Sequence, residues 1–156
     1  MKSIIIILIF ASVVVLGAFV CVKLWKRSAG ATTEAVSQNL AADKLYKIVA
    51  FDGFDPEKET VSLLPLDIKS GYIHAALGHE QVMKVLNNFF GAESRVHILE
   101  LDEQKLKQAG LEVRLEQNKP VGTRYPHIYG MMKLPTTVVA RVIDATKQED
   151  GVWQLQ

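Results

Sequence analysis

Residues 71–91, GYIHAALGHEQVMKVLNNFFG, carry the two periodicities on which the fold turns. Gly71–Ala75 is short and rich in aromatic and β-branched side chains, the composition of an extended strand. From Glu80 the spacing changes: Val82, Val85, Leu86, Phe89 and Phe90 recur three and four residues apart, the apolar stripe of one helix, and Gly91 stops it. A single strong amphipathic helix among many short extended segments predicts an α+β domain.

The flanks supply those segments. Leu45–Ala50 (LYKIVA) reads as a strand, and the turn-rich, charged FDGFDPEKET follows it. Arg95–Leu101 (RVHILEL) is a further strand, Asp102 caps a brief helix through Gln108, and Gly110 ends it. Leu111–Glu116 (LEVRLE) alternates as a strand does, and Val138–Ile143 and Val152–Leu155 supply the last strands around an Asp150-Gly151 turn. No internal repeat is present. The expected architecture is a small, bent, largely antiparallel sheet with one main helix.

Ahead of this domain, residues 4–22 contain no charge, and 19 residues at helical rise just cross a hydrocarbon core about 30 Å thick. The run is longer than the apolar core of a signal peptide, and Lys23, Lys26 and Arg27 burden the Ala29-x-Ala31 cleavage pattern, so residues 1–27 are expected to be an uncleaved anchor. A cleaved, exported form is the alternative. Val20 before Cys21 is unsuited to lipoprotein processing, and this single cysteine forms no intramolecular disulfide. The basic cluster after the run favours a cytoplasmic C-terminal domain. Residues 28–43, small and polar, read as a linker to a domain at 44–156. Four of the 18 Lys and Arg lie at positions 2, 23, 26 and 27, leaving 14 against 17 acids, a net of −3. With no dense basic run after Arg27, nucleic acid is not an expected partner.

The chemistry-bearing stretch is Arg124–Gly130, RYPHIYG. Pro126 fixes its own φ and extends its predecessor, and Gly130 permits a close approach or a positive φ, so His127 and Tyr129 sit in a stiff frame. No H-E-x-x-H, paired C-x-x-C, calcium loop or G-x-S-x-G occurs, so neither a metal site nor a serine nucleophile is expected.

LYKI, GYIHAALGHEQV, FFG, VHILELD, VRLE and YPHIYG occur in the order seen in the bacterial domain-of-unknown-function family 952, which this chain resembles over residues 44–156. That family is similar to the ADP-ribosyltransferase superfamily, whose split sheet grips NAD. The resemblance implies that His74 and Glu116 act in catalysis and that His127, Tyr129 and Arg124 bind the ligand, with NAD as substrate or ligand and no prosthetic group. A carboxylate stabilises an oxocarbenium-like ribosyl carbon, imidazoles hydrogen-bond ribose hydroxyls or a phosphate, and Arg124 reaches a phosphate oxygen. The expected function is a membrane-tethered, NAD-like nucleotide-binding domain, with ribosyl transfer or NAD cleavage as its chemistry. The alternatives are a non-catalytic binding or envelope-interaction module on the same fold and a purely structural domain. Ala75 and Ala76 stand where the family carries Ser or Thr, which favours lost chemistry. In simpler terms, His74 is a core histidine, RYPHIYG a structural turn, Glu116 a strand end and Arg124 a solvated cation.

Overall fold

A computed structural model describes residues 40–117 and 122–156 of this chain. The apolar run 4–22 and the linker up to residue 39 lie outside the described residues, and among those described no helix is long and apolar enough to cross a membrane. In chain order the elements are β1 (Leu45–Ala50), β2 (Thr60–Val61), α1 (Pro65–Ser70), β3 (Ile73–His74), β4 (Ala76–Leu77) and α2 (Gly78–Phe89). They continue as β5 (Arg95–Leu101), α3 (Glu103–Gln108), β6 (Glu112–Gln117), β7 (Arg124–Tyr129), β8 (Leu134–Pro135), β9 (Val139–Lys147) and β10 (Trp153–Leu155).

The fold is α+β, and each strand pair is antiparallel. A five-stranded sheet has the order β10-β9-β5-β1-β4, a three-stranded sheet β3-β7-β6, and β2 pairs with β8. Strand β1 lies between β5 and the edge strand β4, and its side chains alternate between two apolar layers. Tyr46 and Ile48 join Ile98, Val82 and Leu86 on one face, while Leu45 and Val49 join Leu99, Ile73 and Ile128 on the other. Burial on both faces explains why LYKIVA is a nearly continuous apolar run rather than an alternating one.

Three expectations change. The stretch GYIHA is not one strand: Ile73–His74 pairs with β7, Ala76–Leu77 pairs with β1, and the chain changes sheets at Ala75. Ala75 N–H donates to Pro126 O at 3.0 Å, which pins the crossing. RYPHIYG, expected as a rigid rim or turn, forms the central strand of the three-stranded sheet. Its proline is tolerated because a residue's C=O and N–H positions share one side of a strand; the Pro126 carbonyl faces Ala75, just past the end of two-residue β3, so the missing N–H falls where the chain leaves this sheet and not inside the ladder. Helix α1 was not foreseen, although Pro65 at its first position and left-handed Gly71 (φ 75°) after its end are ordinary helix punctuation.

The packed region also reaches four residues ahead of the expected boundary at Lys44. Leu40 is buried in the core, and Ala41 N–H donates to the Tyr46 hydroxyl at 3.0 Å. Gly78, where α2 begins, has φ 67°, and a Cβ there would lie 2.8 Å from the Ala42 carbonyl oxygen. Only glycine lets these two backbones touch.

Candidate functional site

Lysine 47 is a charge placed in the middle of a doubly buried strand, and such a charge needs a partner. The partner is Asp67 on α1. Lys47 Nζ lies 2.6 Å from Asp67 Oδ2, with side-chain exposures of 1% and 0%. The Asp67 carboxylate also accepts from Leu64 N–H at 2.9 Å and from His74 N–H at 2.9 Å, and its Oδ1 lies 3.0 Å from His74 Nδ1. Lys47 Nζ donates a second bond to the His74 carbonyl at 3.0 Å. Burial works to raise the Asp67 carboxyl, but the hydrogen bonds from His74 and the charge of Lys47 outweigh it and hold the group down at about 2. Burial pushes the Lys47 ammonium down against the attraction of Asp67.

On the other side of His74 lies a second cluster, built on β6 and β7. Register pairs His74 with His127 and Arg114 with His127 across the two ladders, which sets the imidazoles side by side, their ring centres 5.4 Å apart and edge-on. Tyr72 stacks on His127 at 4.2 Å and lies 4.7 Å from His74. Glu116 Oε2 is 2.9 Å from His127 Nδ1 and accepts the Tyr129 hydroxyl at 2.7 Å. Those two bonds, Tyr129 first, hold the Glu116 carboxyl below its ordinary range, and the same bond pushes the Tyr129 hydroxyl up. Arg114 does not pair with Glu116; it forks onto Glu112 and lies over the Tyr129 ring. His127 is buried, and its Nε2 has no hydrogen-bond partner among the described residues.

A cavity of about 460 Å³ opens beside the first cluster. Lys47, Asp67 and His74 form its polar floor, Tyr46, Leu64, Val85 and Phe90 contribute apolar wall, and Lys84, Thr123 and Tyr125 also line it. The sequence-predicted residues therefore divide. His74, Glu116, His127 and Tyr129 form one contiguous group, but only His74 lines the cavity. Arg124 is exposed at the start of β7, where its carbonyl, not its guanidinium, is engaged by Gln81 Nε2 at 2.9 Å. Ala75 and Ala76, noted in the sequence for lost hydroxyls, line the cavity as buried small residues.

Sequence reasoning missed Lys47, Asp67 and Tyr72. The signal was a lysine inside LYKIVA, which on a doubly buried strand demands a distant carboxylate, but nothing local shows which one. His97, on β5, pairs elsewhere: its Nδ1 lies 2.7 Å from Asp144 Oδ1 beneath the Phe51 ring, and it is not part of this cavity's lining. Among the described residues no three His, Cys, Asp or Glu side chains are grouped to hold a metal ion.

A family model described as a protein of unknown function, DUF952, matches residues 53–142. The chain is also similar to the crystal structure of protein CC0527 from Caulobacter crescentus, with 26% identity and a TM-score of 0.59, covering 71% of this chain and 93% of that one. A double mutant of the same protein superposes with a TM-score of 0.58 at the same identity and coverage. A comparison with curated proteins finds no match.

Proposed function

The chain belongs to the DUF952 family, and from that premise we propose that its folded domain binds a small nucleotide, NAD or a relative, in the cavity above the Lys47–Asp67–His74 cluster. The observation that carries this reading is a buried ion pair on the floor of a largely apolar cavity. An ion pair taken out of water is a poor stabiliser, since apolar side chains of similar size do as well or better. Placed on a cavity wall beneath an imidazole, it is a signature of a binding site. A volume of about 460 Å³ lies within the range of small-molecule clefts.

A nucleotide suits the lining. Tyr125, Phe89 and Phe90 offer ring faces to a base, Lys84 offers a cation to a phosphate, and His74 offers a ring nitrogen to a sugar hydroxyl. The resemblance to ADP-ribosyltransferase-like proteins supports NAD in particular. In this reading residues 4–22 tether the domain on the cytoplasmic side, where NAD is present.

A second reading, transfer or cleavage of the ribosyl group, is favoured by one observation. Glu116 is ionised, held by His127 and Tyr129, and 38% exposed, which leaves its carboxylate open to a ligand. It lies outside the cavity lining, so binding is the primary proposal.

Thermal unfolding of the full chain in detergent, with and without NAD, ADP-ribose and ADP, tests the proposal. A ligand at about 100 times its Kd stabilises by ~2.7 kcal/mol, several degrees for a domain of this size, and Tyr125→Ala is expected to remove the shift. No shift with any of the three leaves the interaction module in its place. Turnover of NAD that Glu116→Gln abolishes while binding persists selects the ribosyl reading.

A further inference from the structure

We propose that Asp67 and Lys47 are positioning residues that lock His74 into one tautomer, with its proton on Nδ1, so that Nε2 meets the ligand as a hydrogen-bond acceptor. This rests on the cavity being the ligand site, and it adds which atom of the ligand His74 selects.

The argument is a count of donors and acceptors. An ionised carboxylate has only lone pairs to offer, so every group bonded to it must donate. Asp67 has four such contacts: Oδ1 takes His74 N–H at 2.9 Å and His74 Nδ1 at 3.0 Å, and Oδ2 takes Leu64 N–H at 2.9 Å and Lys47 Nζ at 2.6 Å. Three of the four are fixed donors whatever the ring does, and the fourth, Nδ1, must therefore carry its proton. A neutral imidazole with a proton on Nδ1 has a bare lone pair on Nε2.

Lys47 completes the grip. It neutralises Asp67, and it donates to the His74 carbonyl at 3.0 Å, so the backbone N–H, the backbone C=O and the ring of His74 are held by one pair of residues. Tyr72 at 4.7 Å and His127 at 5.4 Å also set their rings beside that of His74, and Lys84 and Tyr125 line the same cavity. The charged groups bonded to the residue are thus on the Asp67 side, and Nε2 is the ring nitrogen that Asp67 does not engage, on a residue that lines the cavity.

The consequence is a specificity rule. An acceptor at this point rewards a ligand that brings an O–H or N–H, as a ribose hydroxyl does, and repels a phosphate or carboxylate oxygen. The anionic part of a nucleotide is then directed to Lys84 on α2 rather than to His74.

The tautomer is readable without any ligand. Long-range ¹⁵N–¹H correlation spectra of the histidine-labelled full chain in detergent, at about pH 8, lie above the range in which a free imidazole titrates. The chain has four histidines, so His79→Gln, His97→Gln and His127→Gln assign the fourth. His74 is expected mostly as the Nδ1–H form, and in Lys47→Met/Asp67→Leu, which removes the acceptor, the ratio is expected to reverse toward Nε2–H. An Nε2–H form in the wild type overturns the proposal, as does an unchanged ratio in the folded double variant; if that variant does not fold, the wild-type spectrum decides alone. Failure of NAD to bind leaves this result intact, so the two proposals fail separately.

Discussion

Asp67→Ala is expected to lower the free energy of unfolding by about 3–5 kcal/mol, the cost of leaving a buried charge without its partner. Lys47 Nζ is almost wholly shielded from water and would retain only the His74 carbonyl, while Leu64 N–H and His74 N–H would lose their acceptor. Lys47→Met strands the carboxylate in the same way. The double variant Lys47→Met/Asp67→Leu is expected to cost less than the sum of its singles, because no isolated charge remains. Denaturant unfolding of the wild type, Lys47→Met, Asp67→Leu and the double variant closes that cycle, and strict additivity would mean that the pair is not coupled. Acid acts on the same carboxylate. The folded value of about 2 is below the ordinary 3.8, so the stabilisation is complete above about pH 4 and is lost as pH falls toward 2.

Leu86→Ala is the second large effect, expected at about 2–5 kcal/mol, whereas Phe89→Ala one turn along the same helix stays within about 0.5 kcal/mol. Both side chains belong to the apolar stripe read from the sequence, but Leu86 is 0% exposed against the five-stranded sheet and Phe89 is 68% exposed at the cavity. Truncating Leu86 leaves a void between helix and sheet; truncating Phe89 removes an exposed part of the cavity wall. The contrast is checked by chemical denaturation of both variants. A Phe89→Ala cost as large as that of Leu86→Ala would mean that α2 packs differently.

What the sequence disclosed follows from how local each signal is. Strands β1 and β5 and helix α3 occupy the residues predicted for them, because apolar runs, Asp102 at the cap and Gly110 beyond the end are read within one window. Asp102 Oδ1 accepts from Lys105 N–H at 3.0 Å as that cap requires. Strand β7 was misread because Pro126 argues against a central strand, and only the shortness of β3 removes the objection. The change of sheet at Ala75 leaves no local mark at all. Among the clustered polar residues, His74, Glu116, His127 and Tyr129 are singled out by the family motifs, whereas Asp67 is not. Its role depends on Lys47, 20 residues away on another element, and no sequence window contains both with a reason to pair them.

The most direct test of the proposed nucleotide site is the map of amide and histidine NMR shifts in the ¹⁵N-labelled full chain as NAD is added. The expected perturbations centre on His74, Lys84, Asn88, Thr123 and Tyr125, the polar and aromatic lining of the cavity. Perturbations centred on Glu116, His127 and Tyr129, or none at saturating nucleotide, would contradict a nucleotide site above the Lys47–Asp67 pair.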